Sequence, residues 1–435
     1  MLKSPTRLLS TMASKSEPGK NIVVIGGGII GSTTAYFLSH HPSFDKERDS
    51  ITLLEATEIA GGASGKAGGL LALWAYPSCL VPLSYGLHKE LAEKHNGAER
   101  WGYRGVHCGQ IEMTGILAGT KASTKTTTTE DANPDANVSL QKLSNKTLGL
   151  LRAAGVPKEL DWVAAEGIQS YEKMGDPNTT AQVHPYQFTT SMASLAEEKG
   201  VKIIYGSAKQ INKSNGAVTG VTYTPTTTPN PGEEEEASQE EEEEEKTLHA
   251  TTIILTAGPW TKTLHPSAPI SALRAHSVTI QPTRPISAYC LFTSITLPRS
   301  TQATPEIYAR PNNQVYACGE GDTLQALPPS TSTVQVDLSR CQDIVDQVGA
   351  ISQELRDGVV TARQACYLPN VSTGGGGGGP IVGATGTRGL LIGAGHTCWG
   401  IQNAPGTGKC LSELVWEGRV KSARLGSLEP GRFGL

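Results

Sequence analysis

Asn21 to Gly31, "NIVVIGGGIIG", constrains this chain more than any other stretch. The apolar run Ile22–Ile25 leads into Gly26, Gly28 and Gly31, spaced as GxGxxG, and Ile29 and Ile30 open a helical pattern. A short apolar run ending in glycines reads as a buried strand and its turn. Gly26 permits the tight turn, Gly28 lets the backbone approach a pyrophosphate, and Gly31 lets helix and strand pack closely. The phosphates then face the helix N-terminus, with its free amides and positive dipole end. A second apolar run, "SITLLEA", ends in Glu55, 24 residues beyond Gly31, the polar loop "HPSFDKERDS" accounting for the length. A carboxylate there accepts hydrogen bonds from an adenosine ribose and disfavours a 2′-phosphate, so NADP is not expected. Strand, helix and strand in this order imply a parallel sheet, hence an α/β, Rossmann-like fold.

The next stretch, "GGASGKAGGLLALW", separates FAD from NAD. Its small residues Ala63, Gly68 and Gly69 allow the backbone to run along an extended ligand; Ser64 is suited to bond a phosphate and Lys66 to neutralise charge. An NAD site has no need of such a segment. Further on, "TTSMASLAEEKG" reads as a helix, "VKIIYGSAKQI" and "AVTGVTYT" as a hairpin, and "ATTIILTAGPW" as a buried strand. "GLLIGAG" reads as a strand and "GKCLSELVWEG" as a helix that Gly418 terminates. Between Pro266 and Leu368 strands follow one another without helical crossovers, the pattern of an antiparallel sheet in a second domain.

Composition excludes several classes. The 435 residues include 49 glycines and no apolar run of about 18 residues, so no membrane-spanning helix is expected. Eight scattered cysteines without a CxxC pair argue against a disulfide framework or a metal site and fit a reducing, cytoplasmic setting. Residues 1–20, with Lys3, Arg7 and Lys15, read as a flexible tail; a mitochondrial transit peptide is the alternative. The net charge of −4 includes ten acids in one run, Glu233–Glu236 and Glu240–Glu245, so the remainder carries +6. That run reads as a solvated loop, with contact to a basic protein partner as its other use. No Lys/Arg stripe makes a case for nucleic acid. Residues 120–139, 225–246 and 374–379 read as low-complexity insertions.

Near the C-terminus, "AGHTCWGIQNAPGTGKC" ends in a stretch that looks like a phosphate-binding P-loop. That motif needs a glycine where Asn403 stands and a magnesium-binding hydroxyl where Cys410 stands, so an ATPase is rejected.

The motifs "IVVIGGGIIG…LLE", "GGASGKAGG", "ILTAGPWT" and "LLIGAGHTCWGIQNAPGTGK" stand in the order expected for the D-amino-acid oxidase superfamily of FAD oxidoreductases. The chain resembles that superfamily, which includes glycine, sarcosine and fructosyl-amine oxidases, and within it a fungal group of FAD-dependent oxidoreductases. The resemblance runs from about Asn21 to Gly418. It implies a discontinuous Rossmann-like FAD-binding domain (21–85, 183–265 and 371–425) and an α+β substrate domain on an antiparallel sheet (86–182 and 266–370). It also implies that Ala257, Gly258 and Trp260 face FAD. The C-terminal glycine segment, through Gly395, His396, Gly400 and Ile401, would return to the flavin with a helix N-terminus at the pyrimidine end.

The resemblance further implies hydride transfer from a carbon bearing an amine to noncovalent FAD, with oxygen as acceptor and a small molecule as substrate. An Arg expected before a Pro as a carboxylate clamp is replaced by Leu368 before Pro369; Arg363, Arg310 and Lys66 are the candidate substitutes. A free α-amino acid is therefore not the favoured substrate, and a bulkier or secondary amine is. Trp74, Tyr76, His396 and Trp399 are candidate ring-lining residues, with His396 as a proton carrier. Cys366 and Cys398 are the thiols nearest to where some relatives attach flavin. A flavin-binding regulatory protein with little turnover is the second reading, its acidic run serving partners; an NAD-dependent dehydrogenase is the third. The sequence sets no oligomeric state.

Overall fold

A computed structural model describes residues 19–115, 155–226, 244–372 and 379–435. The expected insertions 120–139, nearly all of 225–246 and of 374–379, and the tail up to residue 18 lie outside the described residues.

Alternating apolar residues explain the first sheet. In the strand Asn21–Ile25, Ile22 and Val24 join one core cluster while Val23 and Ile25 join another, so both faces are covered. A strand buried on both faces reads as a continuous apolar run, the mark of a parallel sheet. The sheet has eight strands, and its centre is parallel: Lys202–Ser214, Ser50–Glu55, Asn21–Ile25, Thr252–Leu255 and Leu390–Ala394 stand in that order. Antiparallel strands close both edges, including Ala217–Pro225 paired with Lys246–His249 across the place where the acidic run is inserted.

A second eight-stranded sheet carries Val359–Val371, Ile270–Gln281, Gln314–Cys318, Glu306–Arg310 and Tyr289–Thr296 in antiparallel order. His107–Thr114 joins Tyr289–Thr296 in parallel. The sequence between Pro266 and Leu368 hid the helix Leu338–Gly349 and the single turn Gln353–Arg356 after it. Asp337 caps it, accepting from the amides of Ser339 at 3.0 Å and Arg340 at 3.3 Å.

Two expectations need correction. The boundary at residue 85 assigned the rest of the helix Val81–His95 and the short helix Gly97–Trp101 to the second sheet. Their apolar residues Leu91, Ala92 and Trp101 instead pack into the core of the first. The last helix begins at Gly400, not after the glycines, and runs to Glu417 with Pro405 inside it. Its glycines serve close packing: a Cβ on Gly406 would stand 2.3 Å from Ser84 Oγ, and one on Gly408 2.8 Å from the Thr34 amide nitrogen in the first helix, Ile29–Ser39. Gly418 ends the last helix with φ of +71°, as its position suggested.

Candidate functional site

At the end of the first strand the chain turns through Gly26, whose φ is +106° and whose amide donates to the Leu54 carbonyl at 2.8 Å. A Cβ at Gly31 would lie 1.9 Å from the Gly26 carbonyl oxygen, so this glycine lets the helix close onto the turn. Gly28 differs: a Cβ there meets only Ser64 Oγ, at 3.1 Å, and otherwise open space. The Ile29 amide donates to Ser64 Oγ at 2.9 Å, which docks the small-residue segment against the helix N-terminus. Glu55 is buried; it accepts from the Gly27 amide at 2.6 Å and the Thr57 amide at 2.9 Å. Burial pushes its carboxyl pKa up, and those two amides work against the rise.

These groups form one end of a cavity of about 880 Å³ that runs between the two sheets. That volume is within the range of small-molecule and cofactor sites. Every residue expected at the cofactor lines it except Gly31, which does its work behind the wall. The Gly258–Trp260 turn stands opposite, and Trp260 Nε1 donates to the Pro328 carbonyl at 2.7 Å, tying a loop of the second region over the cleft. The cavity thus offers an extended ligand a glycine turn at a helix N-terminus, a buried carboxylate and a long groove. These residues fit FAD: Gly28 and Gly400 leave room where a side chain would intrude, Gly400 having nothing nearer its Cβ position than His396 Cβ at 3.7 Å.

The C-terminal loop, Ala394–Trp399, brings the last helix N-terminus to the cavity. Gly395 has φ of +81° and Thr397, a non-glycine residue, +53°. A helix start leaves its first amides without intrahelical acceptors and carries partial positive charge. The environment of His396 works against the expected proton-carrier role. It is buried, its Nε2 is 3.0 Å from Thr407 Oγ1, and burial lowers its pKa to about 3, so the ring is neutral at physiological pH. Trp399 lines the cavity, but Trp74 does not: it is 38 % exposed and stands edge-on to Trp399 at 5.4 Å. Tyr76 is half exposed at the cavity mouth.

Of the candidate carboxylate clamps, only Lys66 reaches the cavity. Arg310 is buried and spends its guanidinium on backbone, donating to the carbonyls of Ala67 and Gly68 and to Gln314 Oε1 at 3.2 Å. Arg363 is exposed and donates to Gln342. Cys366 lines the cavity with its thiol pKa pushed up to about 11 by burial.

The far end of the cavity was missed. Pairing aligns Ser277, Cys318, Glu306 and Phe292 across four adjacent strands, and all four line the cavity, with Tyr308 and Tyr316 in the next row. Burial raises the Glu306 carboxyl pKa; Tyr308 Oη donates to its Oε2. One signal was available: "EIYAR" alternates Ile307 and Ala309 into core with an acid and an aromatic on the other face.

Comparison with known proteins agrees with this geometry. The family described as FAD dependent oxidoreductase (DAO) matches residues 21–414. "Putative oxidoreductase TDA3" of Saccharomyces cerevisiae is 33% identical, covering 97% of this chain and 96% of its own. "Putative oxidoreductase C1F5.03c" of Schizosaccharomyces pombe is 36% identical over 94% and 98%. Among solved structures, glycine oxidase of Bacillus cereus aligns with a TM-score of 0.63 at 17% identity, covering 93% and 96%. L-proline dehydrogenase of P. horikoshii gives 0.63 at 17%, covering 96% and 98%. At that identity the likeness speaks for the fold.

Proposed function

We propose that this chain, which belongs to the DAO family of FAD-dependent oxidoreductases, oxidises a C–N bond of a small amine, with oxygen as the final acceptor. The observation that carries this reading is the single cavity: the Gly26–Gly28 turn and Glu55 at one end, the Gly395–Ile401 segment between, and a sheet face bearing Glu306 at the other. FAD, when bound, supplies the acceptor for a hydride leaving the carbon that bears nitrogen.

The chain's own residues bind, orient and shield. Gly28 and the helix N-terminus at Ile29 would receive the pyrophosphate, Glu55 the ribose, and the N-terminus of the last helix the electron-poor end of the ring. Phe292, Tyr308, Tyr316 and Trp399 wall the far chamber with apolar surface, which excludes water from the reacting carbon. Attachment is noncovalent in this reading: at about pKa 11 the Cys366 thiol carries no thiolate at neutral pH to attack a ring methyl. All eight cysteines are free thiols, in keeping with a reducing, cytoplasmic setting. The solved-structure relatives named for oxidation of glycine and L-proline favour amine chemistry.

The test is spectroscopic. The purified protein should show flavin absorbance with near-stoichiometric FAD, and an anaerobic panel of amines should contain one that bleaches it. Colourless protein that takes up no added FAD, or a flavin that no amine reduces, would overturn the reading.

A further inference from the structure

Glu306 is the one carboxylate on the sheet-face end of the cavity, and the groups acting on it are Tyr308 and Cys318, neither of them a cation. Tyr308 Oη donates to Oε2, and Cys318 Sγ lies 3.9 Å from the same oxygen. Oε1 accepts no hydrogen bond among the described residues. Tyr308 is itself held in place, stacked on Tyr316 with ring centroids 5.8 Å apart and planes 6° from parallel. The carboxylate is thus fixed through one oxygen and open through the other. A buried carboxylate without a paired cation is costly, and the sheet offsets this only through the Tyr308 hydroxyl and the Cys318 thiol.

The arginine on the Glu306 strand is committed. Arg310 holds the carbonyls of Ala67 and Gly68. Lys66 lies where its charge acts on Cys366. No arginine lines the cavity among the described residues, so a carboxylate on the carbon that bears the ammonium finds no guanidinium fork to hold it beside Glu306.

We propose that Glu306 Oε1 seats the ammonium group of the substrate, and that the substrate is a primary or secondary amine with no carboxylate on the carbon bearing the nitrogen. This rests on the reading of the chain as an amine oxidoreductase. The ammonium supplies the missing countercharge, and its remaining N–H groups and substituents meet Phe292, Tyr308 and Trp399, aromatic faces that accommodate a cation. Ser277 and Cys318, in the same row as Glu306, offer a hydroxyl and a thiol beside it.

The test uses the holoprotein and three matched probes. Benzylamine carries the ammonium, phenylglycine adds an α-carboxylate to the same skeleton, and benzyl alcohol replaces the nitrogen with a neutral hydroxyl. Binding is read anaerobically from quenching of tryptophan fluorescence and from the flavin difference spectrum, neither of which needs turnover. Wild type should bind benzylamine saturably and phenylglycine at least tenfold more weakly. Glu306→Gln, checked for unchanged FAD content and melting temperature, should weaken benzylamine at least tenfold and leave benzyl alcohol unchanged. Absence of saturable benzylamine binding, phenylglycine binding as tightly in wild type, or unchanged benzylamine affinity in Glu306→Gln would each overturn the assignment. The phenylglycine comparison needs no variant, so it decides even where Glu306→Gln fails to fold. If benzylamine binds as expected while no amine reduces the flavin, the oxidoreductase reading falls and the ammonium seat stands.

Discussion

His88 Nε2–H donates to the Ile401 carbonyl at 2.9 Å. Pro405, four residues on and inside the same helix, has no amide to make that bond. A fully buried imidazole from a neighbouring helix thus completes the first turn of the helix whose N-terminus faces the cavity. His88→Leu should leave the carbonyl unsatisfied and cost on the order of 1–3 kcal/mol of stability. It should also weaken FAD retention, because the strained turn before Gly400 leans on that helix. Denaturant unfolding and FAD content after dialysis check both; a variant as stable as wild type would remove His88 from this role.

The same residue and His396 make stability depend on pH. Burial lowers His88 to about 4 and His396 to about 3, from an ordinary 6.5. Both rings are neutral in the fold, while the unfolded chain takes up protons below pH 6.5. Their contribution is therefore complete above that value and is lost as pH falls, down to about 4 for His88 and about 3 for His396. His396→Asn should flatten the fall of melting temperature between pH 7 and pH 5 relative to wild type. Parallel curves for the two proteins would show that His396 titrates normally.

The glycine turn and Glu55 were legible because their chemistry is local: spacing alone places Gly26, Gly28 and Gly31 between a strand and a helix. The place of the C-terminal segment in the cavity wall was legible but its helix was not, since Pro405 and three glycines hide a helix that packing against Ser84 and Thr33–Thr34 sustains. His396 looked like a proton carrier because a sequence does not reveal the burial that neutralises it. Glu306 escaped because it meets Ser277, Cys318 and Phe292 only through strand register, over separations of 12 to 29 residues. Trp74 stands outside the cavity wall, edge-on to Trp399, which lines it.

Arg310 gives a prediction about the segment over the cofactor groove. Its guanidinium donates to the adjacent carbonyls of Ala67 and Gly68 and lies over the Tyr316 ring at 4.8 Å. Burial lowers its pKa to about 10, which still leaves it charged at neutral pH. Arg310→Lys keeps a positive charge but loses the fork that reaches both carbonyls and Gln314 at once. It should cost roughly 2 kcal/mol or more and loosen FAD, as measured by thermal unfolding and by flavin release on dilution. Wild-type stability in Arg310→Lys would mean that charge alone suffices there.

The last prediction separates a cofactor role for the C-terminal segment from a P-loop. A Cβ at Gly400 meets nothing beyond its own helix nearer than His396 Cβ, at 3.7 Å, and the position lines the cavity, so a valine there should be tolerated by the fold and compete with a bound ligand. The same reasoning holds at Gly28, where only Ser64 Oγ stands close, at 3.1 Å. Both Gly28→Val and Gly400→Val should therefore fold yet lose most of their FAD. Lys409 is nine residues into the helix from Gly400, roughly 13 Å along its axis, and does not line the cavity. Lys409→Ala should keep its FAD, and wild type should show no magnesium-dependent ATP affinity. Full FAD content in Gly400→Val would take the helix N-terminus out of the site, and tight ATP binding abolished by Lys409→Ala would restore the nucleotide hydrolase.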